Sequence, residues 1–291
     1  MGTRFEMIIP EGTSARLEAL ARRVEENVQW WEERLSRFRE ESDISRINRE
    51  GAGHPVMVDE KVFGVLEECD HYHRLTEGLF DPAILALQTF WQEREDPAPA
   101  PSPWGGWQEV ILDGATHSVS LASPRTGLDP GAFGKGVALR EVREILLDEG
   151  IQNALLSFGG SSILALGHHP HGPHWPVGIP DIFNTAVNIY LFEMKDRALS
   201  TSGVSAQRLP QGEEERLHVL NPLTGEAVKG WKSVSVQHTD PFTAEILSTA
   251  FLAAEEKQYG RLLGSFPETK IILVEYLNRK PNIFTFEAPK N

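Results

Sequence analysis

The spacing of apolar residues divides this chain into a helical first part and a strand-rich remainder. Between Thr13 and Arg39 the apolar positions are Leu17, Leu20, Ala21, Val24, Val28, Trp31 and Leu35. Those three- and four-residue steps predict one face of a helix, with Thr13 or Ser14 placed to cap it. Val58–Glu77 repeats the spacing at Val62, Val65, Leu66, Cys69, Tyr72 and Leu75, with Asp59 as its cap. Met1–Pro10 alternates weakly and predicts a strand. Asp96–Pro103, DPAPAPSP, suits neither helix nor sheet and predicts a flexible surface loop.

Beyond that loop a two-residue alternation dominates. Glu109–Asp113 and Ser118–Ala122 flank turn residues and predict a hairpin. Further strands are predicted at Asn153–Phe158, Ser162–Gly167, Thr185–Phe192, Ala198–Thr201, Leu217–Leu220, Ser233–Gln237, Lys270–Tyr276 and Asn282–Glu287. Two helical patterns interrupt them, Gly134–Glu149 and Phe242–Glu255. Many strands mixed with a few long helices predict an α+β fold. With 291 residues and no internal repeat, the whole chain, 1–291, reads as one domain.

The chemistry concentrates first in Leu128–Gly136, LDPGAFGKG, which runs straight into the Gly134–Glu149 helix. Gly131, Gly134 and Gly136 surround Lys135 at this junction. Glycines let backbone N–H groups approach an anion, and lysine adds a point charge. The same glycines would equally serve a tight turn against a neighbouring strand.

Charge narrows the partners. The chain carries 28 basic and 42 acidic residues, a formal net charge of −14. That balance argues against nucleic-acid or anionic-membrane surfaces. A negatively charged dinucleotide would need local compensation from loop amides, a lysine or a divalent cation. The single cysteine, Cys69, excludes an internal disulfide or thiolate cluster and reads as a small core residue. No leader-like apolar segment opens the sequence, so a cytoplasmic location is expected. The tract Gly167–His174, with four histidines, lies between strands without a spacing that would converge the rings, and reads as a solvent loop.

Several short motifs follow one another in a fixed order: Met1-Gly-Thr3, Ser42-Asp-Ile-Ser-Arg-Ile-Asn48, Gly78-Leu-Phe-Asp-Pro82, the Leu128–Gly136 loop, Ser157-Phe-Gly-Gly-Ser-Ser162, Thr201-Ser-Gly203, His218-Val-Leu-Asn-Pro-Leu-Thr-Gly225 and Thr243-Ala-Glu-Ile-Leu-Ser-Thr-Ala250. In this order they resemble the ApbE-type flavin transferases, FAD:protein FMN transferases, from Met1 to about Leu252. The resemblance implies a compact α+β domain and Mg²⁺-dependent transfer of FMN from FAD to a Ser or Thr hydroxyl of an acceptor protein, with AMP released.

It also implies roles. Gly131, Lys135, Gly136, Gly159, Gly160, Thr201, Ser202, Gly203, Thr224 and Gly225 would hold the flavin dinucleotide. His218 would be the general base, since imidazole titrates near neutrality. Glu245, Thr249 and the Gly134 carbonyl would hold Mg²⁺. Glu245 stands where the family has Asp, and Arg140, Ser161 and Asn221 also replace family Asp residues. Ala83 replaces a Thr, and Gly134 an Ala. These departures leave two alternatives open: a flavin-binding protein without transfer, and a hydrolase splitting FAD into FMN and AMP. Asp113-Gly-Ala-Thr116 resembles an acceptor motif, but reads better as the turn of the hairpin.

Overall fold

A computed structural model describes residues 3–93, 105–204 and 219–288. The Pro-rich stretch Asp96–Pro103 and the start of the predicted Leu217–Leu220 strand, His218 included, lie outside the described residues. Described Leu220 forms an isolated antiparallel bridge to Ala227.

The chain runs β1 (Phe5–Ile8), α1 (Ser14–Leu35), α2 (Asp43–Glu50), β2 (Val56–Met57), α3 (Glu60–Leu75) and α4 (Leu85–Gln92). Then come β3 (Val110–Asp113), β4 (Ser118–Leu121), α5 (Gly134–Asp148), β5 (Ala154–Phe158), β6 (Ser162–Leu166), β7 (Trp175–Pro180), β8 (Asn188–Met194) and β9 (Arg197–Val204). The last elements are β10 (Lys232–His238), α6 (Pro241–Ala253), α7 (Glu256–Leu263), β11 (Lys270–Leu277) and β12 (Lys280–Glu287). The result is a single α+β domain.

Its main sheet has seven strands in the order β1-β5-β6-β9-β10-β11-β12, every neighbouring pair antiparallel. Both faces are covered. One face meets α6, which lies against β9 and β10 and in turn packs on α5; α5 then meets α1. The other face carries the two-stranded sheet β7–β8, whose Trp175, Val177, Phe192 and Met194 bury against Ala165, Leu199, Ile272 and Val274. Between two apolar layers, α6 is buried all round: Thr249 is its one partly exposed residue. An amphipathic stripe is replaced there by apolar residues on every side, as a helix inside a core requires.

Cys69 is fully buried on α3, as its place in the helical pattern indicated. The predicted helix to Arg39 stops at Leu35, because the Ser36 carbonyl is taken by the hydroxyls of Ser42 and Ser45. Those are the two serines of the Ser42–Asn48 motif, so that motif begins by ending α1. Strand β7 was not visible in the alternation because it contains Pro176 and Pro180; a proline is tolerated in a two-stranded sheet where its missing N–H faces away from the partner. The Asp113–His117 turn joins β3 to β4, with the Asp113 carboxylate accepting from Ala115 N–H and the Thr116 hydroxyl, both at 2.9 Å. Among the described residues no helix is long and apolar enough to cross a membrane.

Candidate functional site

The glycine–lysine loop is held by three separate parts of the chain. Asn48 Nδ2 donates to the Leu128 carbonyl at 2.9 Å, and Leu128 N–H donates to Asn48 Oδ1 at 2.6 Å. Asp129 N–H donates to the Pro82 carbonyl at 2.8 Å. The Asp129 carboxylate accepts from Gly131 N–H at 2.6 Å and faces Arg37 at 3.3 Å. One residue of the Ser42–Asn48 motif, Asn48, and one of the Gly78–Pro82 motif, Pro82, therefore hold this loop in place. Leu128 is fully buried, so losing the Asn48 amide strands a buried N–H and C=O. Asn48→Ala is expected to cost about 2–3 kcal/mol in urea unfolding. A change within experimental error would show that the loop does not depend on this clamp.

Helix α6 is the spine along which the other predicted residues are arranged. At its N-terminus Asp240 accepts from Thr243 N–H at 2.8 Å and the Thr243 hydroxyl at 2.7 Å. One turn on, the Glu245 carboxylate is buried, with one oxygen ion-paired to Lys135 and the other accepting Gly136 N–H. Gly136 is required by that approach. A Cβ there would stand 2.7 Å from the Pro241 carbonyl and 2.8 Å from Phe242 Cα. Gly134 has room: the nearest atom to a Cβ would be Pro130 Cβ at 3.6 Å.

In mid-helix Thr249 Oγ1 lies 3.2 Å from the Ser202 hydroxyl, which also bonds Ser248 at 2.8 Å. Strand alternation divides the Thr201–Gly203 motif between two faces. Ser202 points to α6, whereas Thr201 turns to the opposite face and bonds Ser235 at 2.8 Å. The Thr201 N–H donates to the Ser161 carbonyl at 2.8 Å, which ties the Gly159–Ser161 turn to β9. Gly159, at φ +56°, presses against Thr3, and Gly160, at φ +74°, has open space where a side chain would be.

At the C-terminal end of α6 lies the Asn221–Gly225 turn. Asn221 Nδ2 donates to the Ala253 carbonyl at 3.0 Å, and Asn221 Oδ1 accepts from Leu223 and Thr224 N–H at 2.8 and 3.2 Å. The Thr224 hydroxyl accepts Glu226 N–H at 3.3 Å, and the Gly225 carbonyl accepts from the Trp91 indole at 2.8 Å. From Glu245 to Ala253 the helix spans about 12 Å. The loop glycines and Lys135, then Ser202 with Thr249, then the Asn221–Gly225 turn thus follow one another along a single rigid element.

Residues 1–273 match the model of the ApbE family. The chain belongs to the ApbE family. It is 29% identical over 229 residues to the FAD:protein FMN transferase of Chlamydia trachomatis, covering 75% of this chain and 70% of that protein. It is 27% identical over 264 residues to the enzyme of the same name from Treponema pallidum, covering 82% and 72%. The fold resembles the ApbE protein of Thermotoga maritima with a TM-score of 0.81 at 24% identity, over 97% of this chain and 93% of that one. It resembles the flavin transferase ApbE of Vibrio cholerae with a TM-score of 0.80 at 22% identity, over 99% and 95%.

The departures from the ApbE pattern have local physical accounts. Arg140 on α5 grips the Asp240 carboxylate with two bonds of 2.9 Å and Glu68 on α3 with bonds of 2.8 and 2.9 Å. Its guanidinium also stacks 4.5 Å from the centre of the Phe242 ring. Burial opposes the Arg140 charge, but these two carboxylates outweigh it and raise its pKa. The replacement therefore builds a bridge joining α3, α5 and the N-terminus of α6. Asn221 accepts the same turn N–H groups that a carboxylate would accept, and its amide adds the bond to Ala253. Ser161 closes its turn through a hydroxyl bond of 3.3 Å to the Phe158 carbonyl.

The donors suit a hard divalent cation. Glu245 and Thr249 are oxygen donors four residues apart on one helix face, and Mg²⁺ takes few protein ligands while keeping phosphate oxygens and water. Among the described residues no group of three or more His, Cys, Asp or Glu forms a metal cage. A cation here would share its coordination with substrate oxygens, and it would meet a carboxylate that already faces an ammonium.

Proposed function

We propose that this protein transfers FMN from FAD to a Ser or Thr hydroxyl of an acceptor protein, and that residues 1–291 form one flavin transferase domain. The observation that supports this reading most is the match to the ApbE family across residues 1–273, with relatives named FAD:protein FMN transferase. The α6 arrangement supports it further by joining the expected phosphate-side residues.

In this reading His218 accepts the proton of the acceptor hydroxyl. The oxygen attacks the phosphorus on the FMN side, and the bond to the AMP phosphate breaks, with the electron pair leaving on AMP. Lys135 and the loop amides hold the diphosphate oxygens as charge shifts between them. Gly159, Gly160, Ser202, Gly203, Thr224 and Gly225 shape the dinucleotide's bed, and Thr201 contributes through its main chain. Glu245, Thr249 and the Gly134 carbonyl would hold Mg²⁺, which when bound neutralises phosphate charge.

Product analysis after incubation with FAD, Mg²⁺ and a threonine-bearing acceptor domain tests the proposal. A phosphoester flavin on the acceptor is expected. Free FMN with AMP would replace this reading with the hydrolase, and bound but unaltered FAD would replace it with a flavin-binding role.

A further inference from the structure

A buried carboxylate needs a counter-charge, and at Glu245 that charge is supplied from within the chain. Its side chain is 4% exposed, and its acceptors face the Lys135 ammonium and the Gly136 N–H. Lys135 itself is 21% exposed, at the first turn of α5 where the glycine loop enters the helix. The other candidate side-chain ligand, Thr249, is neutral and bonded to Ser202, and the Gly134 carbonyl is neutral too. Carboxylate and ammonium cancel, so the site without other ions is neutral as well as closed.

We propose that Lys135 is a resident place-holder cation: it occupies Glu245 until a divalent ion enters, and then swings from the carboxylate to the substrate diphosphate. This rests on the reading of Glu245 as a metal-holding residue. The charge count gives it direction. Adding a divalent ion to the neutral pair leaves a net of about +2, which opposes the roughly two negative charges of a dinucleotide diphosphate. Without the diphosphate, metal and ammonium crowd one carboxylate and repel. With it, both are accommodated. Metal and FAD therefore bind together far better than metal binds alone, and the reciprocal holds for FAD. A long four-carbon stem with rotatable donors suits such a move better than a planar guanidinium.

The test is direct Mn²⁺ binding, followed by the electron paramagnetic resonance of the free ion, without any turnover. Wild type, Lys135→Met and the neutral double variant Lys135→Met/Glu245→Gln are compared with and without FAD. Circular dichroism and thermal melting confirm that each is folded. The double variant removes both charges, so it retains the fold if the single variant does not.

In the absence of FAD, Lys135→Met is expected to bind Mn²⁺ at least about tenfold more tightly than wild type, because the competing ammonium is gone. Should the single variant unfold without metal, Mn²⁺ is expected to refold it. The double variant is expected to bind none. FAD is expected to raise Mn²⁺ affinity much more in wild type than in Lys135→Met. Equal or weaker Mn²⁺ binding by Lys135→Met without FAD overturns the place-holder role, as does failure of Mn²⁺ to refold an unfolded variant. These readouts involve no flavin transfer, so they can fail while the transferase reading stands.

Discussion

His218→Ala is expected to slow FMN transfer by about 10²–10⁴-fold, the range that a positioned general base contributes. FAD affinity should change little, since the proposed role puts the imidazole on the acceptor hydroxyl rather than on the dinucleotide. The loss should appear in kcat more than in the KM for FAD. His218→Gln keeps a polar side chain of similar reach without a base near neutrality, and should be equally slow. Transfer within a few-fold of wild type in both variants would remove His218 from the chemistry. A parallel collapse of FAD binding would make it a binding residue instead.

Gly136→Ala is expected to destabilise the protein by about 2–3 kcal/mol, an overpacking effect that exceeds the helix-propensity gain of replacing glycine. The methyl would meet backbone at 2.7 and 2.8 Å on the facing helix, where nothing can rotate aside. It would also push the α5 N-terminus from Glu245 Oε2, which would lie 3.0 Å from the new Cβ. Gly134→Ala is the matched control. It adds the same methyl two residues away at ordinary contact distance, 3.6 Å from Pro130 Cβ and 3.8 Å from Leu35 Cδ1, and should shift stability by no more than about 0.5 kcal/mol. Urea denaturation of the pair reads the difference. Equal stabilities would mean that α5 and α6 do not approach as closely as described.

Helix α1 and strand β5 were legible because each presents a clear period: Leu20, Val24, Trp31 and Leu35 bury on α1, and Ala154, Leu156 and Phe158 bury on β5. Helices α2, α4 and α7, of eight residues each, are too short for a period to register. The motifs carried the family, but not the division of labour within them. Ser42 and Ser45 end α1, whereas Asn48 and Pro82 hold the loop from behind. Thr201 and Ser202 are adjacent in sequence and lie on opposite faces of the sheet. That split follows from strand alternation once β9 is known to continue past Thr201, whereas the sequence pattern ended it there.

The ion pairs were the least legible feature. Arg140 reads in sequence as a lost acid; its partners Glu68 and Asp240 lie 72 and 100 residues away, so only the fold reveals the bridge. The same holds for Lys135 and Glu245, separated by 110 residues. Glu245 is longer than the aspartate of the family pattern, and its extra methylene brings the carboxylate to both Lys135 and Gly136. A signal was available in the −14 net charge, which required a local cation wherever a dinucleotide binds.

Joint quantification of AMP and acceptor-bound flavin in one reaction distinguishes FMN transfer from hydrolysis and from simple binding. Wild-type protein, FAD, Mg²⁺ and a threonine-bearing acceptor are incubated, AMP is measured by chromatography, and the acceptor is weighed as an intact protein. Transfer requires one AMP for each acceptor gaining the mass of FMN less one water, with the adduct lost when the acceptor threonine becomes alanine. AMP matched by free FMN, or no AMP at all with FAD recovered intact, would contradict it.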